Sequence, residues 1–293
     1  MKKKNMYITS LLLSASLFLS IACSVDSGLN IQPEVKPENP TPSPVPQTNK
    51  VKTFTTTSDG FMQLTQKEIS LKAGESLAPS TILIDDTKVG QEIDGFGFAI
   101  TYSTCYNLLH MNAADRADFL KRTYSETEGY GVSYARISIG CNDFSSTEYT
   151  LCDEKGLEHF RLYKDETDYV IPILKEILAI NPKLKIVAAP WTCPKWMKVK
   201  DLKTKAPFNS WTDGHVNPDH YTHYANYFVK FVQTMKAEGI NIYAVSPQNE
   251  PLNRANCAST YMPWQEQAEF VKDLAKAFKK NALKTKIYLF DHN

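Results

Sequence analysis

From Ile93 onward, short apolar runs alternate with longer stretches whose apolar residues recur every three or four positions. The short runs, "EIDGFGFAIT", "SYARISIG", "KLKIVAAPW", "INIYAVSPQNE" and "KIYLFDHN", have strand length. Between them lie "NAADRADFLKRTY", "DETDYVIPILKEILAI", "DHYTHYANYFVKFVQTMKAEG" and "WQEQAEFVKDLAKAFKKN", which carry helical periodicity. Asn217-Pro218-Asp219 opens one helix and Gly239 closes it. Strands alternating with helices predict parallel βα units. "DGFGF" holds Gly95 and Gly97, but Ile100 stands where a dinucleotide-binding turn needs its third glycine, so a barrel is favoured over a doubly wound sheet. The predicted class is α/β: a (β/α)8 barrel, of which residues 91–293 hold about the first five units.

Ahead of the barrel the pattern changes twice. Residues 51–90, with "FMQLTQKEISL" and "STILIDDT", read as the N-terminal strands of a small β-sandwich side domain. Residues 23–50 include six prolines between positions 33 and 46 and no apolar periodicity, as in an extended spacer. Residues 1–22 join a Lys triplet to an apolar run, 8–22, that is shorter than the ~20 residues a spanning helix needs, and read as a secretory signal. Ala22-Cys23 resembles the lipobox of bacterial lipoproteins, with Ser20 where an aliphatic residue is usual and Leu19 one place further back. Lipidation at Cys23 would hold the protein at a bacterial cell envelope, the membrane being a partner through that lipid.

Charge narrows the partners. The 293 residues carry 33 basic and 32 acidic side chains, and loss of residues 1–22 removes three lysines, leaving 30 against 32, a formal −2. Such a balance gives no footprint for nucleic acid. Of six cysteines, Cys23 is assigned to lipid; Cys105, Cys141, Cys152, Cys193 and Cys257 are odd in number, with Cys141–Cys152 the one local pairing considered. His215, His220 and His223 span a loop and a helix start without a recognised metal-ligand motif, so no metal or cofactor is expected.

The exits of the predicted strands carry the chemistry: Arg136 with Asp143, Trp191, Asn249-Glu250, and Asp291-His292. Each has a plain explanation. Arg136 suits an ion pair, Trp191 core filling, Asp143 a turn cap, and Glu before Pro251 an ordinary strand exit. Their joint placement where a (β/α)8 barrel builds its active site favours a site.

In this order "IDGFG", "YARISIGCNDFS", "APWTCPKWMK" and "AVSPQNEP" resemble glycoside hydrolase family 30, which includes glucosylceramidase-like enzymes and endo-β-1,6-glucanases. The resemblance implies a retaining β-glycosidase, with Glu250 as general acid/base kept protonated by its surroundings. Asn249 would bond the sugar 2-hydroxyl, and Arg136, Asp143, Trp191 and His292 would bind substrate. "NSWTDGHVNPDHY" and "PQNEPLNRANCASTYMPWQEQ" look most like endo-β-1,6-glucanases, making a β-glucan or other β-glucoside the expected partner. The family's nucleophile, a Glu at the end of strand seven, is expected beyond Asn293, so these residues alone are expected to be inactive. A glycan-binding lipoprotein without catalysis, or glucosylceramidase or xylanase activity, is the alternative.

Overall fold

The structure, a computed structural model, describes residues 50–70, 79, 82, 85, 87–255 and 258–292. The signal segment, Cys23, the proline-rich spacer and most of "STILIDDT" lie outside them. The chain divides into two compact units, Met1–Thr87 and Lys88–Asn293. In the first, β1 (Lys50–Thr55) pairs antiparallel with β2 (Thr65–Ser70), Lys50 opposite Ser70 and Thr55 opposite Thr65. Asp59 shapes the connection, its carboxylate accepting from Thr57 Oγ1 and, at 2.9 Å, from Phe61 N.

The second unit runs β3 (Gly97–Ala99), α1 (Tyr102–His110), α2 (Ala113–Tyr124), β4 (Tyr134–Ser138), α3 (Ile171–Ile180) and β5 (Lys185–Ala189). It continues through β6 (Lys198–Val199), β7 (His215–Val216), α4 (Tyr221–Ala237), β8 (Ile242–Val245), α5 (Trp264–Lys280) and β9 (Lys286–Ile287). The sheet order is β3-β4-β5-β8-β9, every pair parallel. Strands that neighbour one another in chain order, without the reversal of a doubly wound sheet, are the arrangement of a (β/α)8 barrel.

Period-two alternation sorts the strand residues. Ala135, Ile137, Ile186, Ala188 and Ala244 are buried in the core. Tyr134, Arg136, Lys185, Val187 and Tyr243 alternate with them and are only half-buried. The core is completed by Ile173, Leu174 and Ile177 of α3, by Tyr224, Phe228 and Phe231 of α4 and by Phe270 and Leu274 of α5. Gly97 is required by close approach: a Cβ there would run into the Tyr134 carbonyl of β4. Gly97 of "DGFG" therefore serves strand pairing.

Three elements depart from the sequence reading. α1 was not anticipated; it is a nine-residue helix burying only Cys105 and Leu108, begun by Thr101, which accepts from Thr104 N at 3.2 Å, and separated from α2 by the Asn112 cap. "DETDYVIPILKEILAI" starts with a π turn, Glu166–Val170, because Pro172 lacks the N–H that would continue a regular ladder. The antiparallel ribbon β6–β7 lies within what read as loop. Cys152 is a thiol, its Sγ donating to Gly156 O at 3.1 Å, so the Cys141–Cys152 pairing is not made.

Candidate active site

Arg136 organises the carboxyl end of the sheet. Contrary to the sequence reading it stands mid-strand, opposite Ala99 and Val187, and reaches the exits of other strands through its side chain. Its Nη2 donates to Asn249 Oδ1 at 2.7 Å and to Asp291 Oδ2 at 2.5 Å, and its guanidinium lies 4.8 Å from the Trp191 ring centroid. One planar cation thus joins three of the strand exits singled out in the sequence. With Oδ1 occupied, the Asn249 amide has its NH2 to offer as donor.

Glu250 follows at the edge of this group, half-buried. Beyond β8 the backbone of Asn249 bridges to Asp291 in parallel register; Asn249 N donates to Pro190 O at 2.8 Å and Glu250 N to Asp291 O at 2.9 Å. Glu250 has φ +40°, a region that non-glycine residues seldom occupy and that costs on the order of 1–3 kcal/mol unless the surroundings enforce it. Asn253 supports the turn twice, its N donating to Glu250 O at 2.8 Å and its Nδ2 to Glu250 Oε2 at 2.7 Å. Sequence reasoning missed Asn253, although its i+3 spacing from Glu250 was available. Gln248 Nε2 ties the Trp191 and Asn249 carbonyls at 2.6 and 2.9 Å.

Asp143 is exposed on the turn after β4. His292 is half-buried and stacks on Phe290 with ring centroids 6.2 Å apart. His215 Nδ1 meets the Glu266 carboxylate at 2.9 Å, whereas His220 and His223 contact each other edge to face beside Trp196. The three histidines do not converge, and no cluster of three metal-ligating side chains occurs among the described residues.

A cavity of about 790 Å³ runs along the sheet face, with Arg136 and Asp291 among its lining and Asp94 and Tyr134 at the opposite ends of the strands. Asp94 accepts from Lys185, Tyr134 and, at 2.9 Å, Tyr243. The Lys185 hydrogen bond foremost, then the two phenols, hold its carboxyl well below the usual range. This polar floor is separate from the Arg136 group and gave no signal in the sequence, since its members are 40 to 149 positions apart.

Residues 93–293 match the glycosyl hydrolase family 30 TIM-barrel domain. The endo-1,6-β-D-glucanase BGN16.3 of Trichoderma harzianum is 31% identical over 270 residues, 86% of this chain and 54% of that protein. The lysosomal acid glucosylceramidase of Mus musculus is 29% identical over 224 residues, 72% of this chain and 41% of that protein. The solved structure of the endo-β1,6-glucanase BT3312 superposes with a TM-score of 0.79 at 58% identity, covering 84% of this chain and 54% of that one. The chain spans about half the length of the curated relatives it matches.

Proposed function

The chain belongs to glycosyl hydrolase family 30, and from that premise we propose that it carries the acid/base side of a retaining β-glycosidase acting on β-1,6-glucan. The observation that carries this reading is the Asn249-Glu250 exit of β8, fixed from one side by Arg136 and from the other by Asn253. Glu250 protonates the leaving glycosidic oxygen and later deprotonates the attacking water. The Asn249 NH2 bonds the sugar 2-hydroxyl, an interaction that strengthens at the transition state. Trp191, Arg136, Asp143 and His292 bind the ring. The choice of β-1,6-glucan is supported by the 58% identity to the endo-β1,6-glucanase BT3312.

A retaining reaction needs a second carboxylate about 5 Å from the acid/base. Asp291 is committed to Arg136 and is not assigned that role. The nucleophile is instead assigned to the family's later glutamate, and activity is to be measured on a protein that includes it. There Glu250→Gln should slow turnover of poor leaving groups by ~10²-fold or more. Azide should partly restore turnover of an activated glucoside, because the glycosyl-enzyme still forms. An unchanged rate removes Glu250 from the mechanism; wild-type glycan binding without reducing-sugar release supports a binding protein instead. Cys23 is proposed to carry lipid at a bacterial envelope, and Cys23→Ser should then move the precursor from the membrane to the soluble fraction. Equal partitioning of the two forms rejects the anchor.

A further inference from the structure

Lys198 ends the "APWTCPKWMK" segment and opens β6, yet it is 2% exposed, and no carboxylate among the described residues forms an ion pair with it. Its Nζ instead lies within hydrogen-bonding distance of four main-chain carbonyls, Ser210 at 3.1 Å, Trp211 at 3.1 Å, Asp213 at 2.8 Å and Ser259 at 2.6 Å, which share its three N–H donors. The Asp213 carboxylate is turned away to Arg254, at 3.0 and 3.1 Å. A ring of carbonyls at these distances replaces the hydration shell of a monovalent cation. Burial pulls the Lys198 pKa down to about 8, so at neutral pH the group is still charged. An ammonium taken out of water loses its hydration shell, and a methionine would fill the same space without that loss.

The four carbonyls come from two segments, the β6–β7 connection and the loop that follows Glu250. Those segments meet again around the cage: Ser259 N donates to Trp211 O at 3.0 Å, Asp213 N to Ser259 Oγ at 2.9 Å and Tyr261 N to Gly214 O at 2.8 Å. Ser259 O also accepts from Thr192 Oγ1 at 3.2 Å, directly after Trp191. Thr260 Oγ1 accepts from Cys193 N at 3.1 Å, and Met262 N donates to Pro251 O at 2.7 Å, directly after Glu250. The cage therefore stands between the segment bearing Trp191 and the segment bearing Glu250.

We propose that Lys198 is a positioning residue: its ammonium serves as an internal cation that clamps the β6–β7 connection and the loop after Glu250 together, and so sets the sugar-binding wall of which Trp191 is part. The proposal rests on the glycosidase reading only for what the wall binds. The clamp itself is a statement about two loops.

Both are tested in the protein that includes the nucleophile, with Lys198→Met and Lys198→Ala. Lys198→Met should raise KM for a β-1,6-glucan oligosaccharide by about tenfold or more, the scale of a lost set of charged hydrogen bonds, with kcat within about threefold. Amide exchange at Asp213 and Ser259 should quicken in both variants. In Lys198→Ala, propylammonium should restore KM and amide protection, while tetramethylammonium at the same ionic strength should not. If methionine misfolds, refolding Lys198→Ala with and without propylammonium gives the same comparison. Unchanged KM and exchange, or rescue by both cations alike, overturns the clamp. If the wild type cleaves no β-1,6-glucan the substrate reading fails, and exchange with propylammonium rescue still decides the role of Lys198.

Discussion

Asn249 and Glu250 were legible because they are adjacent in the chain and follow an apolar strand; the residue that holds them was legible only as a candidate. Arg136 meets Asn249 and Asp291 across 113 and 155 positions, and no local pattern encodes a contact of that separation. The left-handed backbone at Glu250 was hidden for a different reason: Pro251 restrains the preceding residue toward extended geometry, and the Asp291 and Asn253 hydrogen bonds override that preference. Arg136→Lys separates charge from shape. A lysine can still pair with Asp291, but it has no planar face for Trp191 and no rigid fork to hold the two Nη2 hydrogens in fixed directions toward Asn249 and Asp291. If orientation of Asn249 matters as proposed, kcat/KM on β-1,6-glucan should fall by about 10- to 100-fold, a range typical of small misplacements in a site. Retention within about twofold would show that an undirected positive charge suffices.

At the scale of elements, periodicity found what was long and amphipathic. α5 buries Gln267, Phe270, Leu274 and Phe278 at helical spacing, and α4 buries nine side chains, so both were plain in the sequence. α1 and the two-residue strands β6 and β7 offer too few buried positions for a period to show. The π turn before α3 was hidden because it runs straight into a helical period, and it carries a group that no motif marks out. Glu166 is 5% exposed, its carboxylate accepting from Tyr149 Oη at 2.7 Å and Tyr163 N at 3.0 Å. Burial outweighs those hydrogen bonds and pushes its pKa up to about 7. A raised folded-state pKa means that stability is full below the unfolded value of about 4.3 and is lost as pH rises through 7, to the extent of roughly 3 kcal/mol. Glu166→Gln has no charge to bury and should escape that loss. In urea unfolding, the stability of the wild type relative to the glutamine variant should therefore decline by that order between pH 4.5 and 7.5. A difference that stays constant over the range would mean that Glu166 remains ionised in the folded protein throughout.

The barrel class was legible at the scale of the second unit because five apolar runs separated by helices allow few arrangements, and sequential parallel order is the simplest. What chain order alone does not convey is how the sheet terminates among the described residues. β3 and β9 each pair on one side, and the cavity lies along the face between them. Phe96 is 74% exposed, Phe98 46% and Leu289 62%, all in or next to these two strands. An edge with unpaired backbone groups and apolar side chains invites pairing with another chain. Burying three such side chains contributes about 1.5–3 kcal/mol each, several kcal/mol together, while association costs about 4–15 kcal/mol in lost freedom. The two are comparable, so edge-strand hydrogen bonds decide the balance, and self-association should be weak and dependent on concentration. A polypeptide of residues 88–293 alone is expected to grow in mean sedimentation coefficient between roughly 1 and 100 μM, a range set by that energy balance. Replacing Phe98 and Leu289 by lysine should suppress the growth, since charge at an edge opposes pairing. A species that stays monomeric throughout, before any substitution, would show that the helices and the Asp94 cluster already satisfy the sheet, and that its apolar edges need no partner.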